Sequence, residues 1–577
     1  MQRHDTPGSR RALMVFDLVG DEVQMGRQHG ELTREIGGFE ETMAFYGRLP
    51  IHILGAGRRD PGRTMAVRLL DKALTPGLKM LDLARPAFLR ERTRAFMAAL
   101  GRPERERLAV VGLDGTQNAI GLLSRLGLTH DRCPASDLAF PGACSSFAVW
   151  GSSSEDGRLL HARNFDLPGM GLWERGPTLV FCRPDRGLRY GFVATRGADT
   201  PGVTAFNEAG LTITAHSRFH RNVSFGGLGI VDLGHLIVRQ ARTIAEAVAI
   251  ASAQRIASSW ALVVSSAQER RAVAIEVHAG RVALDMPRSG ASWFAATNRF
   301  QVPVMQRGEV APSPAWIRYS DGRLAAMRRA LEVRRGLSPT DAMRLLASHE
   351  AGDVPEWNRA TGDCLGQSIS VQSVVVDPEH GRIWVSTGDT PTSRGPWAEV
   401  PWSWDEGVGL REVEARLETP ARQAIEASEG ADYRTGTSGE AYQAYIRAAL
   451  LESRRVPETM VLAAIEEAVR LLPADPSFCH LAAGVALRLG EFDRAHGHFE
   501  AAIATERSRF RQSELRLWAS RAAQWAGRGG AARDHRRALG AMSGPEAEPA
   551  RRGLTETLGR RAHREVGVDF QLLTLTR

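Results

Sequence analysis

Residues 144–166 read CSSFAVWGSSSEDGRLLHARNFD. Two runs rich in β-branched, aromatic and aliphatic residues, Cys144–Trp150 and Arg158–Phe165, flank a polar segment that ends in Asp156-Gly157. An Asp-Gly pair between two such runs is a strong short-range hairpin signal. With the turn centred near Glu155–Asp156, antiparallel pairing sets Cys144 opposite about Asp166. A thiol, the guanidinium of Arg163 and a carboxylate then meet at one end of two neighbouring strands. A nearby cation favours the thiolate, and a carboxylate orients the cation or an amine, so the trio suits nucleophilic catalysis. One geometric demand follows. Arg163 and Asp166 are three residues apart and would face opposite sides of a regular strand, so the strand is expected to end or bulge near Asn164.

Upstream of the hairpin the texture is helical. Residues 12–19 form a short strand candidate, VQMGRQHGELTREIGGFEETMAFY (23–46) a helical stretch, and residues 64–125 carry Ala, Leu, Met and Arg at helical spacing. Pro134, Pro141, Gly142 and Ala143 mark a loop before Cys144. Downstream, strand candidates recur at Thr178–Cys182, Tyr190–Thr195, Leu211–Ala215, Ala261–Ser265, Ala272–Val277 and Trp293–Thr297. One helix is expected at about 229–255, others at 316–335 and 339–348, then a hairpin turning at Pro378–Gly381. Many strands with helices in two groups predict an α+β fold of stacked sheets faced by helices. Residues 415–440 read as a linker. Beyond them AIEEAVRLLPADPSF (464–478) and HFEAAIATERSRF (498–510) are related segments. Their alternation of small and large apolar residues resembles tetratricopeptide repeats, with a plain helical bundle as the alternative. The expected organisation is 1–143 with 144–414 as one catalytic domain, a linker over 415–440 and a repeat-like helical region over 441–577.

At 577 residues the chain is too long for one ordinary domain of roughly 100–200 residues. A hydrophobic fraction of 43% with 24% charged residues belongs to a globular protein with a sizeable core. The formal charge is +8, almost entirely from Arg, since Lys72 and Lys79 are the only lysines. These arginines are interleaved with Asp and Glu. No run forms a basic arm or a recognition helix, so no nucleic-acid partner is expected. The cysteines, Cys133, Cys144, Cys182, Cys364 and Cys479, are odd in number and form no CxxC pair. That argues against a disulfide framework or a cysteine-ligated zinc site and leaves room for a lone functional thiol. No cofactor and no metal are expected. The apolar stretch Ala12–Val19 is broken by Asp17 and too short for a signal segment, and no run of 18 apolar residues occurs. The expected location is cytoplasmic, with no membrane span.

The combination Cys-Ser-Ser-Phe (144–147) with Arg-Asn-Phe-Asp (163–166) resembles the start of the catalytic chain in the cysteine N-terminal-nucleophile (Ntn) hydrolases. Further segments are similar to the penicillin acyltransferase-like (acyl-CoA:6-aminopenicillanic acid acyltransferase) family: GDEVQMGRQHGEL (20–32), AFNEAGLTIT (205–214) and SVVVDPEHGRIWVSTGDTP (373–391). The resemblance spans roughly residues 12–400 and excludes the repeat region. It implies an αββα sandwich of two antiparallel sheets between helical layers. It also implies autocatalytic cleavage between Ala143 and Cys144, Ala143 standing where the family usually has Gly. The freed α-amine, with a reference pKa of about 7.7–8.0, then serves as base to a thiol of about 8.5. By matching, Arg163 and Asp166 fall on positions that polarise and orient the nucleophile, Asn298 on the oxyanion-hole asparagine, and Arg318 on a later arginine near the active site. Asn207 and Glu208 are expected to be structural, and His161 and His216 to be packing or pocket-wall residues. The implied substrate is a small acyl amide whose C–N bond is cut through an acyl-enzyme on Cys144, by hydrolysis or acyl transfer.

Two other readings stand beside this one. An unprocessed Cys-His hydrolase needs Cys144 at a helix N-terminus. A repeat-based scaffold with an inactive front domain leaves the set of four site residues without a purpose. The repeats are open to a protein partner or to bracing a homo-oligomer.

Overall fold

The computed structural model describes residues 12–47, 61–127, 142–312, 314–418, 431, 433–556 and 558–576. Cys133, Pro134 and Pro141 lie outside them, as do residues 419–430 of the span read as a linker. In chain order, β1 (Leu13–Gly20) leads into α1 (Glu22–Ile36), α2 (Phe39–Tyr46), α3 (Pro61–Ala84), α4 (Ala87–Ala99) and α5 (Gly112–Arg125). The hairpin β2 (Ala143–Gly151) and β3 (Gly157–Asp166) follows, then β4 (Pro177–Pro184), β5 (Tyr190–Thr195), β6 (Thr204–Asn207) and β7 (Leu211–Ser217). Helices α6 (Ile230–Gln240) and α7 (Ile244–Ala253) precede β8 (Trp260–Ser266), β9 (Arg271–His278), β10 (Arg281–Asp285) and β11 (Trp293–Ala296). Next come α8 (Pro303–Gln306), α9 (Pro314–Val333), α10 (Pro339–Leu346), β12 (Ser370–Asp377), β13 (Arg382–Ser386), β14 (Pro396–Pro401), β15 (Gly409–Val413) and β16 (Leu417–Glu418). The C-terminal region holds α11 (Gly436–Ser453), α12 (Glu458–Leu471), α13 (Pro476–Leu489), α14 (Phe492–Thr505), α15 (Arg509–Trp525), α16 (Gly529–Ala541), α17 (Glu548–Gly553) and the strands β17 (Gly567–Asp569) and β18 (Thr574–Thr576).

These residues divide into two compact units. One comprises Met1–Ala311, Met327–Ala347 and Ile369–Pro420, the other Pro312–Ala326, Ser348–Ser368 and Ala421–Arg577. The first unit has the expected α+β plan. A nine-stranded sheet, β10-β9-β8-β7-β6-β5-β4-β1-β15, faces a seven-stranded sheet, β11-β2-β3-β12-β13-β14-β16. Pairing is antiparallel except between β1 and β4, which run parallel, a departure from two purely antiparallel sheets. Alternation along each strand builds the layers. Leu13 and Val15 of β1 pack with Val374, Val376, Ile383 and Val385 between the sheets. Phe16 and Leu18 of the same strand join Leu233 and Ile237 of α6 in the helix-covered core. On the outer face of the seven-stranded sheet, Asn164 Nδ2 donates to the Leu346 carbonyl at the end of α10 (2.8 Å).

The segment GDEVQMGRQHGEL owes its composition to helix packing. Asp21 accepts from the Gln24 N–H, and Gln24 Oε1 accepts from the Asp21 N–H, a capping box that starts α1. A Cβ at Gly26 would stand 2.4 Å from the Arg92 carbonyl oxygen, and one at Gly30 2.5 Å from that of Phe96. The two glycines, four residues apart on one helix face, therefore let α1 and α4 approach at backbone distance.

Three expectations change in detail. The helix at 229–255 is two helices. Asn207 Nδ2 donates to the carbonyls of Val238 and Ala241 and ends α6, and the Thr243 hydroxyl caps the start of α7. The hairpin register is one residue off: Cys144 lies opposite Phe165, and Ala143 opposite Asp166, after a shift between Val149 and Gly151. Strand β3 runs unbroken to Asp166, and the bulge expected near Asn164 lies on its neighbour β12, between Ser370 and Gln372.

The second unit is chiefly helical. From α11 to α16 each helix packs on the next in chain order, and the small sheet β17-β18 closes the chain. Helix α11 begins at Gly436, inside the span read as linker. Among the described residues no helix is long and apolar enough to cross a membrane.

Candidate active site

Cys144 is the second residue of β2, and its side chain is 97% removed from solvent, at 3% exposure. Strand alternation turns Cys144, Ser146 and Ala148 toward the nine-stranded sheet, together with Leu159, His161, Arg163 and Phe165 of β3. Arg163 crosses the space between the sheets. Its Nη2 stands 3.2 Å from Cys144 Sγ and 3.0 Å from the Ala215 carbonyl oxygen. Its Nη1 donates to the Val203 carbonyl and to Thr204 Oγ1, and the guanidinium lies over the Phe165 ring at 4.6 Å. Among the described residues no carboxylate pairs with this buried cation. An anion is therefore favoured beside it, and the adjacent ionisable group is the thiol of Cys144.

Asn298 follows β11 and is fully buried. Its Oδ1 accepts the backbone N–H of Cys144 at 2.9 Å. A peptide N–H can only donate, so the oxygen of the amide must be the atom that faces it. The Nδ2 donates to Ser217 Oγ (3.0 Å) and to the Ser217 carbonyl (3.2 Å). Asn298 thus grips the nitrogen that a cut before Cys144 would turn into an α-amine.

Asp166 takes the face of β3 opposite Arg163. Its Oδ1 accepts from the Ser370 hydroxyl (2.7 Å) at the β12 bulge, and its backbone pairs with that of Ala143. It sits beside the bond between Ala143 and Cys144 rather than beside the guanidinium. Arg318 is on α9, in the other unit, with its guanidinium over the Phe510 ring at 4.9 Å. Of the five candidate residues, Cys144, Arg163 and Asn298 are in direct contact, and Asp166 is one strand position from the thiol.

His161 and His216 lie between the sheets in a polar chain. His161 Nδ1 contacts Ser265 Oγ (2.8 Å), and its Nε2 contacts Thr214 Oγ1 (3.2 Å). Ser146 Oγ meets Thr214 Oγ1 (2.9 Å) and His216 Nε2 (2.7 Å). Burial, with help from the Arg163 charge, pushes His161 down to about 3, so it stays neutral near pH 7. Asn207 and Glu208 are structural here. Asn207 Oδ1 accepts from the N–H groups of Ala209 and Leu211 in the β6–β7 turn, and Glu208 pairs with Arg189.

A pocket opens at Cys144. Its wall includes Gly142, Ala143, Phe165, Asp166, Leu167, Val203, Ser217 and Phe219, with Leu113, Thr116 and Gln117 of α5 and Ile230 and Trp260 opposite. The wall is mostly apolar, which fits a hydrocarbon chain better than a charged group. In the segment after β3, Trp173 packs on Phe165 and Tyr46 and Met170 is buried.

Several residues of the site escaped the sequence reading. Asp114, next to Leu113 on α5, accepts from the Ile230 N–H (3.1 Å), Trp260 Nε1 (3.1 Å) and the Ser258 hydroxyl. It thereby binds three parts of the pocket wall together, and burial raises its carboxyl to about 6 against these hydrogen bonds. Arg218 is fully buried, donates through Nη1 to the Thr297 carbonyl just before Asn298, and faces Glu276 at 3.9 Å. Burial holds the Arg218 guanidinium below its ordinary range and lifts Glu276 to about 7.

A search of curated proteins finds no match. Among solved structures, one similar chain is a Caenorhabditis elegans N-acylethanolamine-hydrolyzing acid amidase (NAAA) ortholog, at 16% identity over 41% of this chain and 93% of that one, with a TM-score of 0.29. Residues 153–391 match the family model described as Acyl-coenzyme A:6-aminopenicillanic acid acyl-transferase, a span that takes in Arg163, Asp166, Asn298 and Arg318 but begins after Cys144.

Proposed function

We propose that this chain is a self-processing cysteine amidohydrolase or acyltransferase of the Ntn kind, acting on a small, largely apolar N-acyl amide. The observation that carries the reading is the double hold on Cys144. Its thiol is 3.2 Å from Arg163 Nη2, and its backbone nitrogen is bound to Asn298 Oδ1, at the edge of an apolar pocket. A buried structural thiol needs neither a guanidinium nor a side-chain grip on its own nitrogen.

In the first stage the Cys144 sulfur attacks the Ala143 carbonyl. The C–N bond breaks as the C–S bond forms, and the nitrogen gains a proton. Water then hydrolyses the thioester, leaving a carboxylate on Ala143 and a free α-amine on Cys144. In turnover that amine takes the thiol proton and the thiolate attacks the substrate carbonyl. The amine returns the proton to the departing nitrogen, and the acyl-enzyme passes its acyl group to water or to another amine. Arg163 stabilises the thiolate. Asn298 keeps the amine in position, and in the role of oxyanion donor its Nδ2 turns from Ser217 toward the substrate oxygen. Asp166 orders the strand ends around the scissile peptide. Strand placement of Cys144 disfavours the unprocessed Cys-His reading, which asks for a helix N-terminus.

For the helical region we propose a tetratricopeptide-like array that binds a protein partner or braces an oligomer. Helices α12 and α14 begin at Glu458 and Phe492, one repeat period of about 34 residues apart.

The test is acyl-enzyme trapping. The protein is mixed with p-nitrophenyl esters of medium-chain fatty acids, quenched in acid and weighed by mass spectrometry. One acyl group on the peptide that begins at Cys144, absent in Cys144→Ser, is the expected result. An acyl group elsewhere, or none, would contradict the nucleophile assignment.

A further inference from the structure

The helical unit contains a cluster that the proposed chemistry does not use. His496 and Glu500 stand four residues apart on α14 and share one face of that helix. His535 reaches them from α16. His535 Nε2 is 2.5 Å from Glu500 Oε1, and His496 Nε2 is 3.6 Å from the same oxygen. One ligand atom from each residue lies within 4.8 Å of the others. The two rings meet edge to face with centroids 5.5 Å apart.

We infer that His496, Glu500 and His535 form a binding site for one zinc-type divalent cation that ties α14 to α16. Three observations support this. First, the donor set of two imidazoles and a carboxylate suits a borderline cation, and a tetrahedral zinc with bonds of about 2.0–2.1 Å holds its ligands about 3.3 Å apart. The separations from Glu500 Oε1 lie on either side of that value, so small side-chain rotations suffice. Second, both histidines are more than nine-tenths buried, at 8% and 7% exposure, and His496 Nε2 has no hydrogen-bond partner. A buried ring nitrogen aimed at a carboxylate without bonding to it is costly unless something else occupies the gap. Third, Glu500 is half exposed, which leaves an ion a way in and a water a place as fourth ligand. The nearby cation Arg528 is paired with Asp493 at 2.7 Å. Helices α14 and α16 both pack on α15, so a shared metal would add a direct bond between alternate helices of the array.

The experiment uses the full chain carrying Cys144→Ala, which removes the candidate nucleophile's thiol as a competing ligand. After treatment with a chelator, zinc chloride is titrated in by calorimetry and counted by native mass spectrometry. The expected result is one tightly bound zinc per chain and a higher temperature for unfolding of the helical region. His496→Gln and His535→Gln should each weaken binding more than about tenfold. His498→Gln should leave it unchanged, because His498 is turned to Glu466 at 2.9 Å. Circular dichroism of the zinc-free variants checks that they fold, and Glu500→Gln replaces any that does not. No stoichiometric zinc, or equal affinity in the His496 and His535 variants, would overturn the site.

Discussion

Arg163 is the residue on which the proposed chemistry turns. Its two Nη atoms serve four acceptors at once: the Cys144 thiol, Thr204 Oγ1 and the carbonyls of Val203 and Ala215. Only a planar fork reaches all of them; a lysine keeps the charge and loses the geometry. Arg163→Lys is therefore expected to lower kcat/KM by about 10²–10³-fold, with the folded structure retained by circular dichroism. Activity within threefold of wild type would show that a point charge is enough. Cys144 and Arg163 stand out through the hairpin motif they share, whereas Asn298 enters only through the family resemblance. Asp114, Arg218 and Trp260 were not legible in the sequence. The partners of Asp114 are 116 to 146 residues away in sequence and the Thr297 carbonyl that Arg218 reaches is 79 away, and nothing local distinguishes a carboxylate that holds a pocket wall from one on a helix surface.

At the scale of elements, α5, the start of α6 and the start of β8 are held together by one carboxylate. Asp114 accepts from the first N–H of α6 and from the indole of Trp260. Its carboxyl is raised from 3.8 to about 6 because burial outweighs the hydrogen bonds to Ser258, Ile230 and Trp260. The folded state then binds a proton more tightly than the unfolded chain. This group's contribution to stability is complete below about pH 4 and is lost as pH rises through about 6. Against Asp114→Asn, wild-type stability should fall by an amount on the order of 2 kcal/mol between pH 4 and 6.5, read by urea unfolding at each pH. A difference that is flat with pH would mean that Asp114 stays ionised throughout. The elements themselves were largely readable: β5 has the bounds the pattern predicts, and β4, β7, β8 and β9 differ by a residue or two. The split of α6 from α7 was hidden because Asn207, the residue that ends α6, is more than thirty positions upstream. The short strands β6 and β10 lacked the length for a periodic signal.

For the whole molecule, the sequence separates an α+β front from a helical rear, and the structure has both. Stacked sheets faced by helices follow from strand patterning, but the parallel pairing of β1 with β4 rests on contacts across more than 150 residues and has no local signature. The helical unit draws in Pro312–Ala326 and Ser348–Ser368, segments whose helical or loop character says nothing of which core they join. In the proposed mechanism the peptide bond before Cys144 must be cut for the α-amine to appear. The most direct measurement is the intact mass, under denaturing conditions, of freshly expressed wild type and Cys144→Ala. Wild type resolved into residues 1–143 and 144–577, with the variant at full length, is the expected result. Both proteins at full length would contradict self-processing and, with it, the α-amine of Cys144 as the catalytic base.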